Sequence, residues 1–398
     1  MSDISIKELN NKTPLQIAKH PNMDMLASKG LTGLLKTIPS KCNPGTENAF
    51  LSIFGYDPIK LNTGRGPLEA AGAGIYLEQN DIALRCNLVT VINGVLTDHS
   101  AGHITSKESK KILLSLKKHY KSDDSVDFYS GVSYRHIIVL KGGVYSDKIF
   151  CVPPHDAINT HVNEIFIKSI DNIGHPTAQK LNQMMVDSHE FLKLHPVNIA
   201  RIKLGKNPAN MIWPWGQGYC PKINTLQESF GIKSAVISAV DIVKGIGKYL
   251  GMNLIKVPGA TGYFDTNYEG KADYALKSLK KFDFVLIHVE APDEASHIGD
   301  AHLKVRTIED IDSRLLGRLL EGLDKDYVIA VMPDHTTQTS NGAHSTDPVP
   351  FVIYSDHYDH GDDVKHFDEE SMKSGSLGIV EGINFLDLFL KKKGFPEY

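Results

Sequence analysis

The sequence is poor in cysteine. Its four, Cys42, Cys86, Cys151 and Cys220, are scattered with no Cys-x-x-Cys pair. That excludes a disulfide scaffold, a zinc ribbon and a thioredoxin-type motif, and it fits free thiols in a reducing cytoplasm. No apolar run approaches the ~18 residues of a membrane span, and no secretory signal precedes the first element, so neither a membrane partner nor export is expected. Basic runs are missing too. The net charge is −4, which argues against nucleic acid or an anionic membrane as a partner and requires any anionic small substrate to be drawn in by a local basic pocket. Internal repeats and low-complexity tracts are absent. Tryptophan occurs twice, in Trp213-Pro214-Trp215, which reads as a loop packed into a core. The chain of 398 residues is long enough for about two domains.

What is present is concentrated at two places. Val285-Leu286-Ile287-His288-Val289 is a run of apolar β-formers around one histidine, which reads as a buried strand of a parallel sheet with His288 in the core. It ends in a loop where Asp293 and His297 stand four residues apart, at the strand's carboxyl end, where open α/β sheets bind ligands. A second run, Tyr327-Val328-Ile329-Ala330-Val331-Met332, ends in Pro333-Asp334-His335, with His344 nine residues further on. Lone Asp and His residues on loops are usually structural. Two carboxylates and three imidazoles at two successive strand ends make a site for Zn²⁺ or Mn²⁺ the better reading, and two such ions suit phosphoryl transfer.

The rest of the chain alternates strand and helix. Strands are predicted at Leu31 to Ile38, Ser234 to Val240 and Leu254 to Val257. Helices are predicted at Asp241 to Leu250, Asp265 to Leu279 and Asn384 to Lys392. This predicts an α/β fold with a doubly wound, mostly parallel sheet. Residues 58–179 have a different rhythm and read as an inserted smaller α/β domain, leaving 1–57 and 180–398 as a discontinuous main domain. Pro44-Gly45-Thr46 opens a helix. A hydroxyl there is an N-cap or an exposed nucleophile, and the cap is favoured on frequency alone. Arg65, Arg85 and Arg135 could grip a carboxylate or phosphate bidentately, though for any single arginine a surface ion pair is the commoner role.

Taken together, several blocks resemble the archaeal-type cofactor-independent phosphoglycerate mutases of the alkaline phosphatase superfamily. They are Pro44-Gly45-Thr46 with Leu51-Ser52-Ile53-Phe54-Gly55-Tyr56-Asp57-Pro58, the stretch from Thr63 to Ala71, Arg85-Cys86-Asn87-Leu88-Val89-Thr90, Ser100-Ala101-Gly102-His103, Gly259-Ala260-Thr261-Gly262-Tyr263, His288 to His297, and Pro333-Asp334-His335. The resemblance spans essentially the whole chain. It implies an alkaline-phosphatase-like domain split by a substrate-gripping insertion, and two divalent ions, usually Mn²⁺, with Mg²⁺, Co²⁺ and Zn²⁺ as alternatives. It implies that Asp293, His297 and His344 hold one ion, and that Asp334, His335 and the nucleophile Thr46 hold the other. It further implies that Lys271, Arg65, Arg85 and Arg135 neutralise substrate charge and that His103 works beside the substrate hydroxyl. The reaction implied is the interconversion of 3-phosphoglycerate and 2-phosphoglycerate through a phosphorylated enzyme. The Arg-His-Gly-Glu motif of the cofactor-dependent mutases does not occur in this chain.

Two departures from the family pattern carry expectations of their own. The family usually has serine where Thr46 stands, and the extra methyl is expected to slow turnover. In the family a strand ending in Asp-Gly comes before the point that matches Met1-Ser2-Asp3, and its Asp is a ligand on the nucleophile side. Asp3 matches a later position. Without that strand, its neighbours are expected to be left with unpaired backbone and an apolar gap, the Thr46-side metal site to be emptier, and activity to be weak. Two other functions compete with the mutase. One is a metal-dependent phosphatase, or a mutase for another phosphorylated metabolite, which a substrate panel distinguishes. The other is a metal-free, non-catalytic relative, which bound metal argues against.

Overall fold

The computed structural model of the chain describes residues 1–61, 63–324, 326–357 and 360–392. The chain divides into two compact units, Met1–Leu61 with Ile223–Tyr398, and Asn62–Lys222. The segment 180–222, expected with the main domain, belongs to the smaller unit. The physical reason is one strand. Met211–Tyr219 pairs antiparallel with Ile82–Ile92, placing Trp213 opposite Asn87 and Trp215 opposite Arg85. The tryptophan segment is therefore a strand and not a loop. Among the described residues its one strand partner is Ile82–Ile92, and such an edge tolerates Pro214, whose missing N–H costs no ladder bond on the unpaired side.

In the larger unit, the strands are β1 (Leu31–Lys36), β2 (Ser234–Ile237), β3 (Asn253–Leu254), β4 (Phe284–Ile287), β5 (Val328–Val331), β6 (Val349–Ser355) and β7 (Ile379–Glu381). They form two sheets, in the orders β5-β6-β1-β7 and β3-β2-β4. β2 runs parallel to β3 and β4, and β1 is parallel to β7, while β6 is antiparallel to both β1 and β5. This is the expected α/β architecture. β1 lies against β7 so closely that a Cβ on Gly33 would come 2.5 Å from the Gly378 carbonyl oxygen. Helix Tyr268–Leu279 starts where the Asn267 side chain accepts from the Gly270 N–H, and it buries Tyr268, Ala272 and Ala275. Helix Thr46–Ile53 buries Ala49, Phe50, Leu51 and Ile53.

The amino-terminal residues are tied into this unit by charge. Asp3 and Lys304 are both fully buried and pair at 2.8 Å. The Lys304 ammonium also donates to the carbonyls of Ser2 and Thr337, and Asp3 accepts from the Thr339 hydroxyl at 2.6 Å. Asp3 is thus a structural residue that anchors the segment following Asp334 and His335. Replacing Asp3 by alanine strands a buried ammonium. The expected cost is about 3–5 kcal/mol, whereas the double replacement Asp3→Leu with Lys304→Met should recover much of it. Chemical denaturation followed by tryptophan-independent circular dichroism checks this, and equal midpoints for wild type and Asp3→Ala would contradict it.

The smaller unit is an antiparallel sheet built on Ile82–Ile92, flanked by Val95–Asp98, Arg135–Leu140 and Met211–Tyr219, with Val126–Tyr129 beyond Arg135–Leu140. Its core runs from Ile82 and Leu84 through Met184 and Met185 to Trp213.

Candidate active site

The carboxyl ends of β4 and β5 bring six of the predicted residues together. Helix Ala291–His297 follows β4 after a short turn and carries Asp293 and His297 on one face, four residues apart. His297 Nε2 lies 3.1 Å from Asp293 Oδ2, His344 Nε2 lies 3.5 Å from Asp293 Oδ1, and the two imidazole nitrogens are 3.2 Å from each other. Around a tetrahedral ion with bonds of about 2.0–2.1 Å, neighbouring ligand atoms stand about 3.3 Å apart. The donor set and its spacing therefore fit one divalent ion. After β5, His335 Nε2 lies 3.4 Å from Asp334 Oδ2 and 3.2 Å from Thr46 Oγ1. This second trio is equally compact.

The two trios are not separate. Asp293, His335 and His344 each offer a ligand atom within 4.8 Å of the others, and the rings of His335 and His344 are 4.1 Å apart. His335 stands at the junction. Its orientation is set by Thr337, whose hydroxyl donates to Asp293 Oδ1 at 2.5 Å and meets His335 Nδ1 at 3.1 Å. Sequence reading passed over Thr337. Its signal was available two residues after His335, in a short strand that pairs with His344–Ser345.

Charge is balanced tightly here. Burial works to raise the Asp293 carboxyl, but hydrogen bonds from His297 and His344, with the charge of His335 and His297, hold it far below the usual carboxylate range. The bond to Asp293 raises His297 against the effect of burial. Burial lowers His335, with Asp334 opposing. These are the signatures of an anion held for cations.

Thr46 is the first residue of its helix. The N-cap is Gly45, and no side chain caps that end. The cap role favoured by frequency is thus not what the hydroxyl does, since it points to His335. Lys271 is buried, and its ammonium donates to the His288 carbonyl at 2.8 Å, below the end of β4. Burial lowers it to about 8, opposed by Glu290. His288 is buried as expected. It meets Ser238 Oγ at 3.1 Å and Glu290 at 3.3 Å, and burial lowers it to about 4.

The other four predicted residues lie in the smaller unit and share one cluster. Arg85 is buried, with its guanidinium 4.7 Å above the Trp215 ring, and Arg65 lies 5.9 Å from the same ring. The sheet is irregular between Ala83 and Arg85, and Gly216, at φ +64°, supplies the left-handed residue that this bulge needs. Glu69 pairs with Arg85 at 3.2 Å and lies 3.7 Å from Arg65. Burial lowers Arg85, Glu69 opposes, and Arg65 and Arg135 add to the lowering. An arriving anion relieves that repulsion. Arg135 lies 5.7 Å from the Tyr134 ring, and His103 and His99 pack edge-on to Tyr134 at 6.3 and 5.8 Å. His155 joins His99 at 6.3 Å to Trp215 at 5.4 Å.

His103 closes a turn in which Ala101, Gly102 and His103 all have positive φ, 49°, 62° and 48°. Asp98 holds this turn, accepting from Ser100 N–H and Oγ and from Gly102 N–H. Those bonds, with one from Asn207, overcome burial and bring Asp98 down to about 2. Non-glycine residues in this conformation cost energy and collect at functional sites. Sequence reading missed His99, Tyr134, His155 and Trp215 as members of the cluster, because they are far apart along the chain.

Comparison with known proteins places these observations. The family described as 2,3-bisphosphoglycerate-independent phosphoglycerate mutase matches residues 27–198. A protein of that name from Methanosarcina acetivorans is 46% identical over 394 residues, covering 98% of this chain and 97% of its own. A solved structure from Pyrococcus horikoshii superposes with a TM-score of 0.85 at 30% identity, covering 100% of this chain and 96% of the other. The cofactor-independent phosphoglycerate mutase from Thermoplasma acidophilum superposes with a TM-score of 0.67 at 31% identity, covering 99% and 97%.

Proposed function

The chain belongs to the family of 2,3-bisphosphoglycerate-independent phosphoglycerate mutases, and from that we propose that it interconverts 3-phosphoglycerate and 2-phosphoglycerate through a phosphothreonine formed at Thr46. The observation that carries this reading is the Thr46 hydroxyl, free of any capping bond and 3.2 Å from His335 at the edge of the carboxylate–imidazole cluster. Asp293, His297 and His344 hold one divalent ion, and Asp334, His335 and Thr46 the other, with Mn²⁺ as the expected metal. Such ions lower the pKa of a bound hydroxyl and spread phosphoryl charge.

The protein's own groups do the rest. Thr46 Oγ forms a bond to phosphorus as the ester oxygen on C3 leaves and takes a proton. The C2 hydroxyl then loses a proton and forms the new ester bond as Thr46 Oγ leaves. No bisphosphoglycerate is consumed. His103 holds the proton exchanged with the glycerate hydroxyls. Arg65, Arg85 and Arg135 bind the anionic substrate through paired N–H donors, and the Lys271 ammonium adds positive charge beneath β4.

The test is to supply 3-phosphoglycerate and Mn²⁺ without bisphosphoglycerate and to follow 2-phosphoglycerate and inorganic phosphate together. Appearance of 2-phosphoglycerate well ahead of free phosphate is expected. Free phosphate as the main product means a phosphatase instead. No turnover of this or other phosphoesters, with no metal retained, means a non-catalytic relative.

A further inference from the structure

The larger unit contains a gap where a β-sheet ought to be continuous. β4 is an edge strand of one sheet, β5 is an edge strand of the other, and each has one ladder partner. Every residue of both strands lines a single cavity of about 920 Å³. All eight residues are half-buried, although β2 beside β4 is fully buried and β6 beside β5 nearly so. Aliphatic β-formers in the middle of an α/β domain are normally covered on both faces and both edges.

Three features say what covers them. The first is hydrogen bonding. Phe284 N–H and His288 N–H donate toward the β2 side, to Lys233 and Ile237 carbonyls. By the alternation of a strand, the N–H groups of Val285 and Ile287 face the cavity, where no partner is recorded for them among the described residues. A small apolar molecule would leave such groups unpaired, which is costly. A peptide strand pairs them. The second feature is direction. β4 and β5 both end at the cluster of Asp293, Asp334 and His335, so they run the same way, and a strand between them is parallel to both. The third is the lining above and below. Leu315, Leu316 and Leu319, with Phe50, Phe54 and Phe389, are all apolar, which calls for an occupant that is apolar on both faces.

We propose that the slot between β4 and β5 binds one extended apolar strand, parallel to both and joined to the amino end of Met1. Met1 lines the cavity together with His288, Met332 and Asp334 from the strand ends. A parallel strand leaving the slot at that end therefore connects to Met1 directly, without crossing another element. Bound there, it merges the two sheets into one.

The test compares three forms of the full chain: the 398-residue form, the same chain preceded by Lys-Val-Ile-Val-Val-Ile-Asn-Gly, and a control extension with proline at the third and fifth of those positions. Hydrogen exchange is read at the amides of β4 and β5, alongside anilinonaphthalene sulfonate fluorescence and sedimentation velocity. The apolar extension is expected to slow exchange at Val285 and Ile287 by at least about tenfold and to remove dye binding, at unchanged molecular mass. The proline extension is expected to do neither, because proline cannot donate to a ladder. Equal exchange in the apolar and 398-residue forms overturns the proposal, as does equal protection by the proline control. Protection that appears only with doubling of the mass makes a second copy the occupant and overturns it too. A 398-residue form whose β4 and β5 amides already exchange slowly and which binds no dye shows that no slot is open.

Discussion

Thr46→Ala is expected to lower mutase turnover by at least about 10³-fold, because the phosphoryl group then has no enzyme oxygen to occupy between its two positions on the glycerate. Stability should change by less than about 1 kcal/mol. Thr46 is the first residue of its helix, Gly45 holds the cap position, and alanine is the better helix former. The two readouts separate nucleophile from cap. A capping residue would cost about 1 kcal/mol of stability and leave the chemistry alone. Thr46→Ser keeps the oxygen and removes the methyl, so it should match or exceed the wild-type rate. Mass spectrometry after brief incubation with 3-phosphoglycerate and Mn²⁺ should find phosphate on the peptide bearing Thr46 and none on that peptide in Thr46→Ala. Full activity in Thr46→Ala sinks the proposed route.

The larger-unit site was legible because its information is local. A short β-run ending in Asp-x-x-x-His, and another ending in Pro-Asp-His, place ligand-type side chains by strand geometry alone, so Asp293, His297, Asp334 and His335 could be located from spacing. Their mutual arrangement was not legible. Which way the His335 ring faces depends on Thr337 and on the buried Lys304 that fixes the Thr337 carbonyl, and Lys304 is far from both along the chain. The smaller unit was harder for the same reason. Arg85 could be singled out as a candidate, but the neighbour that orients it, Trp215, lies on a strand disguised by Pro214. A proline and two glycines in Met211–Tyr219 imitate a loop, and only pairing with Ile82–Ile92 makes it a strand. The unit boundary was misplaced with it. His99 and His155 went unnoticed because ring contacts between distant segments leave no periodicity in the sequence.

Metal retention tests the other half of the site. His297→Ala removes one of three ligand atoms that stand 3.1 to 3.5 Å apart, and its tightly bound metal should fall by about one equivalent, since loss of even an outer partner of a ligand typically costs 10–100-fold in affinity. His335→Ala should be the more damaging change. That ring touches Thr46 on one side, stacks near His344 on the other, and is held by Thr337, so both trios lose a member and turnover should drop by about 10³-fold or more. Acid should mimic these losses. Ligands must be deprotonated to bind, and Asp293 raises the pKa of His297 above its ordinary value. The proton therefore competes with the metal up to that raised pKa, and affinity climbs as pH rises through it. Dialysis against a chelator near pH 6 should strip metal and activity faster than at pH 8, and Mn²⁺ should restore both. If His297→Ala and His335→Ala hold as much metal as the wild type at both pH values, the cluster is a hydrogen-bonded network of histidines and carboxylates, and the phosphoryl chemistry must be sought elsewhere in the chain.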